Sequence, residues 1–258
     1  MRIIGITGGV GAGKTEVMTY IGQHYDAAVI KADEVGYLLM EPGRECYAPI
    51  VRLFGRQITD ESGNLNRKRI AELIFRDQEK LRQMNQIVHP AVKAYVRRAI
   101  AEEEKAGTSY VFIEAALLIE DHYDEICDEL WYIYADERVR RDRLRRGRNY
   151  SDDRIDSIME NQLSEEEFSE HCDFEVDNSG AFEETIKQIA RRMSKYEFVV
   201  LLPSDENADE VVILKVEDGE TEDTESYVSV DDDLVLNNVF SIFKERFKEE
   251  FHFCESNE

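Results

Sequence analysis

Basic side chains are outnumbered in this chain, with 32 Lys and Arg against 56 Asp and Glu and a formal net charge of −24 at pH 7. That balance argues against general binding to nucleic acid or to anionic membranes, which depends on clustered cations. Cysteine is rarer still. Cys46, Cys127, Cys172 and Cys254 are scattered, with no C-x-x-C pair and no metal-like Cys/His spacing, and reduced thiols of a cytosolic protein are the expectation. No apolar run approaches the ~20 residues of a membrane span. The N-terminus enters an apolar strand at once and leaves no room for a signal peptide, so a soluble, cytoplasmic protein is expected.

Glycine is also used sparingly, yet five of the fourteen fall in "GITGGVGAGKTE", residues 5–16. Glycine carries an entropic cost that is tolerated where a positive φ or a close backbone approach is needed, so the cluster marks a backbone shaped around something. Gly8, four residues, Gly13, Lys14 and Thr15 fit the G-x-x-x-x-G-K-[ST] loop that cradles phosphates. The flanks agree. "RIIGIT" reads as a buried strand, and Val17, Met18, Ile21 and Tyr25 are spaced as on an amphipathic helix. Loop amides and the positive helix end then face an anion, Lys14 reaches the β/γ-phosphates, and the Thr15 hydroxyl is placed for Mg²⁺. The stretch is expected to bind a nucleoside triphosphate; a glycine-rich turn capped by a lysine is the plainer alternative.

Further along, "AAVIKA", "YVFIEAALL", "LWYIYAD" and "CDFEVDN" read as strands alternating with helical patterns, which implies a parallel sheet covered by helices. The interval from about 33 to 105 is too long for a simple crossover and is expected to form a helical substrate subdomain at the carboxyl ends of the strands. After Lys195 the grammar changes. "EFVVLLP", "EVVILKV" and "ESYVSV" read as strands between acidic turns, and Leu236, Val239, Phe240, Phe243, Phe247 and Phe251 line one helical face. Residues 197–258 hold 19 acidic and 4 basic side chains, so about a quarter of the chain carries −15 of its charge. The expected organisation is an α/β domain over 1–195 and a small acidic α+β module over 197–258.

Several side chains are candidates for chemistry. Asp33, at the end of the second strand in "VIKADEVG", could hold an acceptor hydroxyl and take its proton, or could simply cap the next helix. "DEVG" imitates a switch-GTPase motif, but no N-K-x-D follows it. "RVRRDRLRRGR", residues 138–148, holds seven arginines, with Arg138, Arg141, Arg145 and Arg148 on one helical face. It reads as a lid over ATP phosphates, with a solvated face and an RNA-binding face as alternatives. His89 in "IVHP" either turns a helix or touches a ligand. Glu114 and Glu120 bracket the third strand's end, either as structural acids or as holders of Mg²⁺ through water.

In order, "TGGVGAGKT", "ADEVG", "EPG", "FGRQI", "GNLNRKRIAELIF", "LRQMNQIVHP", "ALLIE", the arginine run, "ENQLS" and "FEVDNSG" resemble the dephospho-coenzyme A kinase family over about residues 1–194. The resemblance implies a P-loop fold of the nucleoside-monophosphate-kinase type with a five-stranded parallel sheet, a helical substrate domain and a lid at about 138–165. It implies transfer of the γ-phosphoryl of ATP to the ribose 3′-hydroxyl of dephospho-CoA, with Mg²⁺. It also implies site residues. Lys14, Asp33 and Arg143 are the catalytic ones, Asp33 as base and Arg143 from the lid. Gly8, Gly9, Val10, Gly11, Ala12, Gly13, Lys14, Thr15, Glu16, Arg148 and Asn178 hold ATP, and Thr15 also serves the metal. The chain departs from the family pattern at Glu16 and at Ala116-Leu117-Leu118. Its lid is one residue longer, which leaves Arg145, Arg146 or Arg148 for the second lid arginine. Residues 197–258 resemble a family of short acidic bacterial proteins of unknown function. That likeness implies no chemistry, and an unidentified protein partner is the expectation for this module.

Overall fold

The computed structural model describes residues 1–75, 77–194, 197–201, 210–217 and 220–228. The chain divides into two compact units, Met1–Ala181 and Phe182–Glu258.

In the first unit, β1 (Arg2–Thr7), β2 (Ala27–Lys31), β3 (Tyr110–Glu114), β4 (Glu129–Tyr134) and β5 (Phe174–Asp177) form one sheet in the order β2-β3-β1-β4-β5. Every pairing is parallel, with Ile4 opposite Phe112, Ile6 opposite Trp131 and Ile133 opposite Val176. The central strands β1, β3 and β4 are largely buried, as in a parallel sheet covered by helices, while the edge strands β2 and β5 are only partly so. "YVFIEAALL" is strand only as far as Glu114. Beyond it Ala116 and Leu117 are exposed while Ala115 and Leu118 are buried, and the chain turns. After β3 the chain crosses β1 to lay down β4 on its other side, so the strand order reverses at the carboxyl end of β1. Ligands of open α/β sheets bind at such a crevice.

Helix α1 (Lys14–His24) follows β1 and buries Val17, Met18, Tyr20 and Ile21. Phe112, Trp131 and Phe174 pack edge to face within the sheet, with ring centroids 5.6 and 5.2 Å apart. Helices α2 (Ala32–Leu39), α3 (Tyr47–Phe54), α4 (Arg67–Phe75) and α5 (Gln78–Ala106) fill the long interval between β2 and β3. Val35, Leu39, Ile50, Phe54, Ile70, Val92 and Val96 from these helices share a core with Ile30, Val111, Ile113 and Leu130 of the sheet. These helices therefore pack against the sheet. Asp77 caps α5 by accepting from the Lys80 amide at 3.1 Å, and Gly107, at φ 83°, ends it. His89 and Pro90 neither cap nor turn a helix, since both lie inside α5.

Between β4 and β5 run α6 (Glu137–Arg148), α7 (Asp152–Met159) and α8 (Glu165–His171). Asp136 caps α6 through the Arg138 amide at 2.8 Å, Asn149 closes it in the left-handed region, and Ser164 with Glu167 forms a capping box on α8.

The second unit begins with α9 (Phe182–Met193), whose Thr185, Ile189 and Met193 are buried at helical spacing. Strands β6 (Glu197–Leu201), β7 (Glu210–Glu217) and β8 (Glu220–Val228) form an antiparallel sheet in chain order, with a register shift between Lys215 and Val216. These are the three strands expected in the acidic module. The expected apolar helix from Leu236 to Phe251 lies outside the described residues.

Candidate active site

The carboxyl end of β1 passes into residues 8–13, and α1 begins at Lys14. Gly8, Gly11 and Gly13 take φ values of 142°, 86° and 96°. At Gly13 the requirement is double: the φ is positive, and a Cβ there would fall onto the Asn178 side-chain amide. At Gly9 a Cβ would overlap the Arg140 guanidinium, which would have to shift. The Lys14 Nζ folds back onto its own loop and donates to the Gly8 carbonyl at 2.6 Å and, more weakly, to Gly9 at 3.4 Å. Burial pulls the Lys14 pKa below its ordinary 10.5, Glu114 opposes the shift, Arg140 adds to it, Asp33 opposes it and Arg148 adds to it.

The arginine run supplies cations by helix phase. The structure corrects the expected face of Arg138, Arg141, Arg145 and Arg148, of which only Arg148 lines the cavity. Arg141 pairs with Glu137 and Asp156, both at 2.6 Å, Arg145 pairs with Asp152 at 2.7 Å and Asp142 at 3.2 Å, and Arg138 is exposed. The inward stripe is Arg140, Arg143, Leu144, Gly147 and Arg148. Leu144, 2 % exposed, anchors that face, and the residues one turn to either side of it turn toward the phosphate loop. Arg143 donates to the Ala12 carbonyl at 3.2 Å and to the Asn178 carbonyl at 2.9 Å. Arg140, buried, donates to the Val10 carbonyl at 3.2 Å and to Gln162 Oε1 at 3.0 Å.

These pieces enclose a cavity of about 450 Å³. The loop contributes Gly8, Gly9, Val10, Gly11, Gly13, Lys14 and Thr15 to its wall. Asp33 comes from the first turn of α2, Glu114 from the end of β3 and Ala116 from just beyond it, and Arg143, Leu144, Gly147, Arg148 and Gln162 from the lid side. Ala12, Glu16 and Asn178 are not on the wall. Ala12 turns its carbonyl to Arg143 and Asn178, Glu16 is exposed in the first turn of α1, and Asn178 is buried behind the loop. Asp33 occupies the first turn of α2 without capping it, because the cap position is Lys31 and no side chain fills that role. Glu120 is exposed and off the wall. His89 Nδ1 lies 2.8 Å from Asp121 Oδ1, and Lys93 Nζ donates to the Asp121 carbonyl, which ties α5 to the turn after β3. Tyr123, on that turn, is held at about 12, chiefly by burial.

Arg140 and Gln162 escaped the sequence reading as site residues. For Arg140 the signal was Leu144, the apolar residue that sets which arginines face inward; Gln162 has no local signal. Among the described residues no three His, Cys, Asp or Glu side chains are grouped to hold a metal ion. The Thr15 hydroxyl and the Asp33 and Glu114 carboxylates are the side-chain oxygen groups on the cavity wall. A second cavity, about 520 Å³ and mainly apolar, opens in the helical subdomain between Tyr37, Met40, Leu65, Ile70, Ile74 and Met84, where the Arg67 guanidinium stacks 4.0 Å over the Tyr37 ring. No described helix is long and apolar enough to cross a membrane.

A protein-family model described as dephospho-CoA kinase matches residues 2–184, and one described as a protein of unknown function (DUF1292) matches residues 183–248. A dephospho-CoA kinase of Carboxydothermus hydrogenoformans is 31 % identical over 198 residues, covering 77 % of this chain and 96 % of the relative. One of Aquifex aeolicus is 33 % identical over 192 residues, covering 74 % and 95 %. Among solved structures, a Thermus thermophilus protein superposes with a TM-score of 0.64 at 25 % identity, covering 75 % of this chain and 98 % of that one. A dephospho-CoA kinase from Campylobacter jejuni shares the fold, with a TM-score of 0.55 at 18 % identity over 73 % of this chain and 96 % of that one. The glycine loop, the parallel sheet that carries it and the helices that close over it thus have a common origin: over residues 2–184 the chain belongs to the dephospho-CoA kinase family.

Proposed function

We propose that the chain transfers the γ-phosphoryl group of ATP to the ribose 3′-hydroxyl of dephospho-CoA, giving CoA and ADP, the last step of coenzyme A synthesis. The observation that carries this reading is the meeting of the Lys14 loop, the Asp33 carboxylate and the Arg143 and Arg148 guanidinium groups around one cavity. Family membership supplies the acceptor.

The loop amides and the α1 N-terminus receive the phosphates, which give Lys14 Nζ a stronger partner than the Gly8 and Gly9 carbonyls it holds now. Asp33 accepts the proton of the attacking hydroxyl as the new O–P bond forms, and the bond from the γ-phosphorus to the bridging oxygen breaks toward ADP. Arg143 and Arg148 offset the charge that gathers on the leaving oxygens. Mg²⁺, held by the Thr15 hydroxyl and through water by Glu114, would neutralise part of the phosphate charge. The apolar second cavity suits the uncharged arm of the acceptor.

The chemistry belongs to residues 1–195. For residues 197–258 we infer an unidentified protein partner; their net charge of −15 disfavours nucleic acid and ATP alike. The free thiols of Cys46, Cys127 and Cys172 support a cytoplasmic setting.

The test is ATP turnover by the full chain against dephospho-CoA, adenosine, AMP and shikimate. Dephospho-CoA should exceed the others in kcat/KM by at least about a hundredfold, since remote binding groups of the true acceptor are used in the transition state. Equal turnover of adenosine or AMP would remove the proposed acceptor.

A further inference from the structure

We propose that Gln162 reads the terminal phosphate of the nucleotide, donating from Nε2 to it while its Oε1 locks the phosphate loop to the lid. This rests on the reading of the cavity as an ATP site. Gln162 lies in the connection from α7 to α8 and lines the cavity. Its Oε1 accepts two hydrogen bonds, from the Val10 amide at 3.2 Å and from Arg140 Nη2 at 3.0 Å. An amide and a guanidinium are both obligate donors, so the atom they share must be the oxygen, and the orientation of the side-chain amide follows. Gln162 lines the cavity, and among the described residues the two N–H groups of its Nε2 have no acceptor. Donors without an acceptor, beside a lysine and two arginines, suit an anion.

The position selects which anion. In a loop of this kind the inner phosphates lie against the α1 N-terminus, and the lysine reaches the β/γ end. Here Lys14 Nζ sits on the Gly8 and Gly9 carbonyls, next to Val10, so the Val10 end is where the outermost phosphate arrives. Gln162 is bonded to that end and spans it to Arg140 on α6, whose guanidinium also holds the Val10 carbonyl at 3.2 Å. One amide therefore joins the loop, the first lid helix and the α7–α8 connection, and it offers donors where ATP and ADP differ.

The experiment compares ATP and ADP affinity by calorimetry on the full chain, for wild type, Gln162→Leu and Gln162→Glu, with steady-state kinetics on the same preparations. Gln162→Leu should weaken ATP on the order of tenfold and ADP by less than about threefold, with kcat reduced and the KM for dephospho-CoA within about twofold. Gln162→Glu keeps the oxygen that Val10 and Arg140 need but replaces the donors with an acceptor, so ATP should weaken at least as much as in the leucine variant while the melting temperature stays near wild type. Should Gln162→Leu fold poorly, Gln162→Asn, one methylene too short to reach, replaces it. Parallel losses of ATP and ADP, or no loss of either, would overturn the proposal. An ATP-selective loss in a protein whose wild type does not phosphorylate dephospho-CoA would leave Gln162 in its role and refute the acceptor instead.

Discussion

Asn178 Nδ2 donates to the Ala12 carbonyl at 2.8 Å, and Arg143 Nη1 reaches the same oxygen at 3.2 Å. The end of β5 and the lid helix thus grip one peptide of the phosphate loop from behind, and the Asn178 amide fills the space that glycine leaves at position 13. Asn178→Ala should loosen the loop without emptying the cavity, losing about 1–2 kcal/mol of stability and raising the KM for ATP severalfold. Thermal melts and ATP titrations check both. Unchanged ATP kinetics in a destabilised protein would confine Asn178 to the fold.

Lys14 is expected to couple ATP affinity to alkaline pH. Its folded pKa is lowered from 10.5, chiefly by burial, so the charged form is fully penalised in the free protein below that lowered value, and the penalty fades between it and 10.5. Bound phosphates favour the charged form. ATP affinity should therefore fall with rising pH from a point below 10.5, with proton uptake detectable by calorimetry in buffers of different ionisation enthalpy. Lys14→Met should remove this pH dependence and nearly all turnover while the protein stays folded. A flat affinity up to alkaline unfolding would contradict the assignment.

Asp33→Asn keeps a group that can hydrogen-bond the acceptor but cannot take its proton. Turnover should fall by a factor on the order of 10² or more, with ATP affinity within about threefold of wild type. A collapse of ATP affinity with turnover preserved would move Asp33 to the metal.

The arginines divide into two expected phenotypes. Arg143→Met should lower kcat more than it raises the KM for dephospho-CoA, as for a contact made mainly in the transition state. Arg145→Met, which removes an exposed partner of Asp142 and Asp152, should leave kcat within about twofold. Equal losses from both would return the run to a general electrostatic role.

Much of this was legible in the sequence because its signals are local. The strand, glycine loop and helix of residues 2–24 follow from hydrophobic periodicity and one spaced motif, and the five parallel strands were visible as apolar runs. What escaped depends on helix phase and on long-range contact. Seven arginines in eleven positions can be grouped in several ways, and only the burial of Leu144 decides among them. Gln162 has no meaning until Val10 and Arg140, 152 and 22 residues away, are brought to it. Asp33 read equally as a helix cap until Lys31 was seen to hold that position.

The most direct test of the account is a single-turnover reaction of the full chain with γ-labelled ATP and dephospho-CoA, with the site of the label fixed by phosphorus NMR of the product. The account predicts stoichiometric transfer to the ribose 3′-hydroxyl at a rate that Asp33→Asn and Lys14→Met each depress by about a hundredfold or more. Label appearing only as inorganic phosphate, or on any other oxygen of the acceptor, would contradict it.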